Sequence, residues 1–361
     1  MSAPPRHLFL FAGTYTAKDA KGVYLCRFAA KAGALEVLGL AAEMPNPTFL
    51  AIHPAGCYLY AVSEVRDESG RHGGSVNAFA VDEASGGLTF LNRQSSQGAG
   101  PCHVSVEPKG RFVLVANYES GSAAMLPVQK DGSLGEASDV AQHHGASINP
   151  ERQEGPHAHS ITPSPDGRFA FVCDLGLDRI MVYRLDLQAG RLRPNEPPSA
   201  AVKSGAGPRH LVFHPTRPVV YVVTEMGNTV IAFAWDAARG ALRETQTVST
   251  LPADFRGESY AADIHVDAAG RFLYASNRGH DSITVFRIDE STGVLSLIGH
   301  QPTLGKWPRN FAFDPTGGWL LAANQESDSV AVFRRDPATG LLAPGGAEAK
   351  VSMPVCLTFL A

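Results

Sequence analysis

Apolar residues in this chain come in short β-branched and aromatic runs, without the three-to-four spacing of an amphipathic helix. Leu211-Val212-Phe213, Val219-Val220-Tyr221-Val222-Val223 and Val230-Ile231-Ala232-Phe233 follow one another closely and predict three successive strands. His214-Pro215-Thr216-Arg217 separates the first two. After the third comes the form D-x-x-x-G-x-L, from Asp236 to Leu242, and then a more polar fourth strand. Asp bonds its own backbone in such a turn and Gly takes a positive φ, which suits a tight hairpin.

The unit repeats. The first turn recurs as His53-Pro54-Ala55-Gly56, Glu107-Pro108-Lys109-Gly110, Ser164-Pro165-Asp166-Gly167, Asp267-Ala268-Ala269-Gly270 and Asp314-Pro315-Thr316-Gly317. The second recurs from Asp186 to Leu192, Asp289 to Leu295 and Asp336 to Leu342. Four antiparallel strands every ~50 residues predict an all-β propeller. The chain opens on a second-strand pattern, Leu8 to Gly13, with no first strand before it. It closes on Met353-Pro354-Val355-Cys356-Leu357-Thr358, which matches the first-strand openings Asn46-Pro47-Thr48-Phe49 and Gly207-Pro208-Arg209-His210. The C-terminal strand is therefore expected to complete the N-terminal blade, giving seven blades, no free sheet edge at the closure, and one domain over residues 1–361.

Two registers carry the chemistry. Nine residues past the second position of each first turn stand Ser63, Asn117, Asp174, Thr224, Asn277 and Asn324, uniformly small and polar, which reads as a structural hydrogen bond repeated in every blade. One position further the residues diverge: Glu64, Tyr118, Leu175, Glu225, Arg278 and Gln325. Six positions before the turn they diverge again: Thr48, Cys102, His159, Arg209, Ala262 and Arg309, with Val355 in the closing strand. Both diverse registers belong to the face opposite the first turns. His103, His157, His210, Glu258, His280, Lys306 and Asn310 lie close to them in sequence. A rim of charges at a propeller mouth is also what a merely solvated surface looks like. His103 and His210 read equally as packing histidines, and His53 and His214 as structural ones.

Composition narrows the classes. The 361 residues are 44% hydrophobic and 18% charged, with a formal net charge of −4, which argues against a nucleic-acid binder. No apolar run approaches a membrane span. The segment His7 to Gly13 behind Arg6 is too short for a secretory leader and reads as a first strand. Cys26, Cys57, Cys102, Cys173 and Cys356 are odd in number and lack C-x-x-C spacing, which points to a reducing compartment, hence the cytoplasm. His143-His144 resembles a metal tract only weakly, and no His/Asp/Glu group has convincing ligand spacing. There is no G-x-S-x-G elbow and no phosphate-binding glycine loop. Arg209, Arg278 and Arg309 with Glu225 and His159 at one mouth call for a small anionic ligand. A carboxylate and an imidazole beside it suit proton transfer, a combination that fits opening or closing an acidic lactone without metal or cofactor.

Gly155-Pro156-His157-Ala158-His159-Ser160, Gly207-Pro208-Arg209-His210, Val223-Thr224-Glu225, Ser276-Asn277-Arg278-Gly279-His280-Asp281-Ser282 and Pro308-Arg309-Asn310-Phe311 resemble the seven-bladed propeller lactonases of the cycloisomerase-2 type. That family includes 6-phosphogluconolactonases and is related to the fungal-type 3-carboxy-cis,cis-muconate lactonizing enzyme. The resemblance implies a metal-free cytoplasmic hydrolase of 6-phospho-D-glucono-1,5-lactone. It also implies a site of one His, one Glu and two Arg, falling here on His159 or His157, Glu225, Arg209 and Arg278. On that basis Glu225 activates water, His159 protonates the leaving oxygen, and Arg209 and Arg278 hold the substrate. Arg309 and Lys306 are expected to take the phosphate, with His157, His210 and Asn310 as further substrate contacts. Other sugar lactones, lactone isomerisation, muconate cycloisomerisation and a non-catalytic binding platform stay open, as does the oligomeric state.

Overall fold

The computed structural model describes residues 8–65 and 73–360. They form seven antiparallel sheets, six of them running in chain order from an innermost to an outermost strand, the arrangement of a seven-bladed β-propeller. The innermost strands are Leu50–Ile52, Pro101–Val106, Ala158–Pro163, Pro208–Phe213, Tyr260–Val266 and Pro308–Phe313 for blades 2 to 7, with Pro354–Phe359 in blade 1. This last strand pairs with Leu8–Thr14 through Leu10↔Phe359 and Ala12↔Leu357, so the two ends of the chain close the ring in one sheet. His7, counted in the first strand by its sequence, lies outside the described residues. Blade 7 departs from four strands: its outer edge is split into Leu342–Pro344 and Ala349–Lys350, both paired with Ser329–Arg335.

Burial explains why the pattern was so plain. Second strands such as Phe112–Asn117 and Phe169–Asp174 are buried at every position, because neighbouring blades cover both of their faces. Outer strands such as Ala34–Glu43 alternate between exposed and half-buried residues. The core is a series of sheet-on-sheet contacts around the ring. One cluster sets Phe169, Phe171 and Ile180 of blade 4 against Leu211, Val220 and Val222 of blade 5.

The first turns satisfy themselves locally. Gly56, Gly110, Gly167, Gly270 and Gly317 all adopt φ between +66° and +77° there. Arg217 replaces glycine in blade 5, and that turn is held instead by His214 Nδ1, which accepts from the Thr216 and Arg217 amides. His53 and His214 each reach the next blade, Nε2 lying 2.9 Å from the carbonyls of Gly110 and Gly270. The uniform register does the structural work expected of it. Asn117 Nδ2 donates to Ser96 O in the segment entering its blade and to Ser122 Oγ across its hairpin. Asn277 does the same with Thr250 O and Ser282 Oγ.

Candidate active site

The innermost strands contain a feature that the apolar pattern hides. In blade 3 Pro101 pairs with Asn117 and His103 with Ala116, leaving Cys102 without an opposite number. His159, Arg209 and Arg309 are left out of register in the same way in blades 4, 5 and 7, as is Val355 in blade 1. Each sits in a β-bulge, and a bulge re-aims its side chain out of the ladder. The diverse register is therefore a ring of bulged residues freed from pairing duties. The second diverse register begins where the second strands end, and the two meet in one cavity.

That cavity has a volume of about 330 Å³ and is lined by Tyr15, Glu64, Cys102, Tyr118, Glu119, Arg152, His159, Glu225, Tyr260, Arg278, Trp307 and Arg309. Glu225 is its most heavily paired group. Arg152 Nη2 lies 2.6 Å from one carboxylate oxygen, while Arg278 Nη2 at 2.8 Å and Arg209 Nε at 3.0 Å hold the other. Burial alone would raise this carboxyl, but Arg278 and Arg209, with His159 and Arg152, carry it well below the usual carboxylate range. His159 Nε2 lies 3.9 Å from Glu225 Oε2. Burial, with Arg209 beside it, pushes the imidazole well below its ordinary value and keeps it neutral at neutral pH. Arg209 is held on further sides: Nη1 also donates to Ala262 O at 2.6 Å and meets His210 Nε2 at 3.3 Å.

The opposite wall is made differently. Glu64 accepts from Tyr15 Oη at 3.0 Å and from the Thr48 hydroxyl. Arg309 donates to Tyr15 Oη at 3.0 Å. Burial raises the Glu64 carboxyl above its usual range, although Arg309 and both hydroxyls pull the other way. Four guanidiniums thus surround the cavity, those of Arg152, Arg209, Arg278 and Arg309, against the three carboxyls of Glu64, Glu119 and Glu225. The excess is cationic and favours an anion.

Of the residues singled out in the sequence, His159, Glu225, Arg278 and Arg309 line the cavity, and Arg209 braces Glu225 from below. His157 does not reach it: the ring stacks on Tyr118 at 4.5 Å, with Nδ1 on Tyr118 O and Nε2 on Glu154. His210 and Asn310 turn toward the axis beneath, where Asp263 binds His210 Nδ1 at 2.9 Å and Asn310 Nδ2 at 2.6 Å. Lys306 is exposed and outside the lining, its backbone amide bonded to Ser327. His143 is not a metal tract but a buried partner of Asp174 at 2.6 Å. Tyr15, Glu64, Tyr118 and Arg152 belong to the site without having been singled out. Glu64 and Tyr118 stand in a diverse register, and Tyr15 occupies its equivalent in blade 1. Arg152 comes from the long segment between blades 3 and 4, which follows no repeat.

Known proteins resemble this chain over most of its length. Residues 9–359 match the family model described as lactonase, 7-bladed beta-propeller. A Bacillus subtilis 6-phosphogluconolactonase is 41% identical over 305 residues, 84% of each chain. A 6-phosphogluconolactonase of Formosa agariphila is 36% identical over 311 residues, 85% of this chain and 86% of its own. The solved structure of a Pseudomonas aeruginosa periplasmic gluconolactonase superposes with a TM-score of 0.93 at 35% identity, covering 98% of this chain and 99% of the other.

Proposed function

This chain belongs to the seven-bladed β-propeller lactonases, and we propose that it hydrolyses 6-phospho-D-glucono-1,5-lactone to 6-phosphogluconate, as one cytoplasmic domain without a bound metal. The observation that carries the reading is the Glu225 carboxylate, clamped by three guanidiniums beside a neutral His159 in a cationic cavity. The electrostatics favour an allocation of roles different from the one the resemblance implies. A carboxylate held this firmly ionised is a poor proton acceptor, whereas neutral His159 is free to take a proton from water. Glu225 then stabilises the imidazolium that forms, and Arg209, outside the cavity lining and bonded to Glu225 through Nε, is a positioning residue for Glu225. Arg278 and Arg152 reach the cavity itself and are placed to draw in the anion and stabilise the oxyanion formed on attack. The donor set supports metal independence: the Glu225 and Glu64 carboxyls are occupied by guanidiniums and hydroxyls, and no three His, Cys, Asp or Glu among the described residues are grouped to hold an ion. Cysteines left free of disulfides support a reducing compartment.

The test is hydrolysis of freshly generated 6-phosphogluconolactone, coupled to 6-phosphogluconate dehydrogenase, with the spontaneous rate subtracted. Acceleration that survives EDTA is expected; no acceleration overturns the reading. A second substrate, the unphosphorylated gluconolactone, is favoured by one observation. Lys306 stands outside the cavity, leaving Arg309 as the remaining phosphate candidate of the pair. Comparing kcat/KM for the two lactones, in wild type and in Arg309→Ala, decides between them. A selective loss on the phosphorylated substrate assigns the phosphate to Arg309, and equal losses remove that role.

A further inference from the structure

Resting on the reading of the cavity as a lactonase site, we propose that Glu64 is a catalytic residue, the acid that protonates the leaving ring oxygen from the wall facing Glu225. Its position argues for this first. Glu64 directly follows the second strand of blade 2, Tyr58–Ser63, as Glu225 follows that of blade 5, Val219–Thr224, the same register on nearly opposite sides of the ring, and both line one cavity. Their partners differ in kind. Three guanidiniums hold Glu225, whereas among the described residues the Glu64 carboxyl meets only the hydroxyls of Tyr15 and Thr48 within bonding distance. A hydroxyl serves either protonation state, since it donates to a carboxylate or accepts from a carboxylic acid. A guanidinium only donates, and it locks the carboxylate in its charged form. Of these two carboxyls, Glu64 is thus the one that can hold a proton and release it. The groups facing it are Tyr15 from blade 1, Arg309 from blade 7, Cys102 and Glu119 from blade 3, and Arg209 from blade 5. Against these, burial tips it toward the neutral acid.

The step balances. Water adds to the lactone carbonyl carbon and gives a proton to His159, leaving a tetrahedral oxyanion. That oxyanion collapses, the bond from carbon to ring oxygen breaks with its electron pair on oxygen, and the Glu64 proton passes to that oxygen as the new hydroxyl. The enzyme is left with His159 protonated and Glu64 ionised. One proton returned from His159 to Glu64 through solvent resets the site, and the product carboxylic acid loses its own proton to water.

Glu64→Gln keeps the shape and the contact with Tyr15 but has no acidic proton. Its kcat on the lactone is expected to fall on the order of 10²–10⁴-fold. Wild-type kcat should decline on the alkaline side as Glu64 ionises, and the variant should lose that limb, a signature that a merely structural role would not give. Tyr15→Phe tests the same point without touching the carboxyl. Removing a hydroxyl that favours the ionised form should move the alkaline limb to higher pH. Infrared difference spectra at neutral pH should show a protonated carboxyl in wild type that Glu64→Gln lacks. Wild-type turnover reports on the lactonase reading, and the ratio of variant to wild type reports on Glu64. A Glu64→Gln enzyme with full kcat and an intact alkaline limb overturns the proposal while leaving the lactonase reading in place. A wild type inactive on both phosphorylated and unphosphorylated lactones overturns both.

Discussion

Glu225 and Glu64 are the same residue in the same register of the same repeat, yet their surroundings make them chemically unlike. On the wall of blades 4 to 6, guanidiniums from three separate chain segments converge on one carboxylate and fix its charge. On the wall of blades 1, 2 and 7, hydroxyls do the bonding and Arg309 is held one residue away, on Tyr15. Two carboxyls whose environments push them apart can divide the tasks of one reaction. The repeat supplies identical positions, and the neighbours supply the roles.

Four changes would break or sharpen this contrast. The largest effect is expected from Glu225→Ala, which strands Arg209 and Arg278 in a buried site. Urea unfolding should show a loss of about 3–5 kcal/mol, and hydrolysis should drop to the spontaneous rate. Next is the acid side of the pH profile. His159 must be neutral to accept a proton, so kcat/KM falls as pH drops through its value, and because burial and Arg209 depress that value the limb should lie below 6.5. His159→Asn should abolish turnover without moving the cavity charge at neutral pH. Arg152→Ala removes one of the three clamps and brings Glu225 closer to the condition of Glu64. Since a charged hydrogen bond contributes about 1.5–3 kcal/mol, KM should rise at least tenfold, while the folded state, with Arg152 about one-third exposed, loses little.

The smallest effect concerns Trp307. Its φ of +64° is strained for a bulky side chain, and Gly100 and Gly207 take nearly the same angle, 61° and 65°, before the corresponding prolines. The strained backbone carries the indole to the cavity, with the Arg278 guanidinium 5.7 Å from its centroid and Tyr260 packed edge-on at 6.2 Å. Trp307→Gly should relieve about 1 kcal/mol of strain. Melting temperature should then hold or rise while KM increases several-fold. A fall in melting temperature with unchanged KM would make Trp307 structural.

The propeller is legible in the amino-acid order alone, because what specifies it is local. A blade is four short strands and two turns, and the turn residues satisfy their own backbone within a few positions. Glu107, Asp267 and Asp314 each accept from a backbone amide four or five residues on, just past the turn they begin. The closing strand was legible for the same reason, since Pro354–Phe359 carries the pattern of its six counterparts. The diverse registers also pointed to the face that holds the cavity, with Glu225, His159, Arg278 and Arg309 in its lining. What each of these can do depends on how the blades pack. Bulges in the innermost strands turned Cys102, His159, Arg209 and Arg309 out of their ladders, a displacement of one residue that no periodicity reports. Pairing across blades then decided between neighbours. His159 faces Glu225 while His157, two residues earlier, stacks on Tyr118. Arg152 entered from a segment outside the repeat, and Lys306 was left in solvent two residues before the bulge that carries Arg309 inward. Charge state is a property of burial and of distances between segments far apart in the chain, so the contrast between Glu225 and Glu64 exists only once the ring has closed.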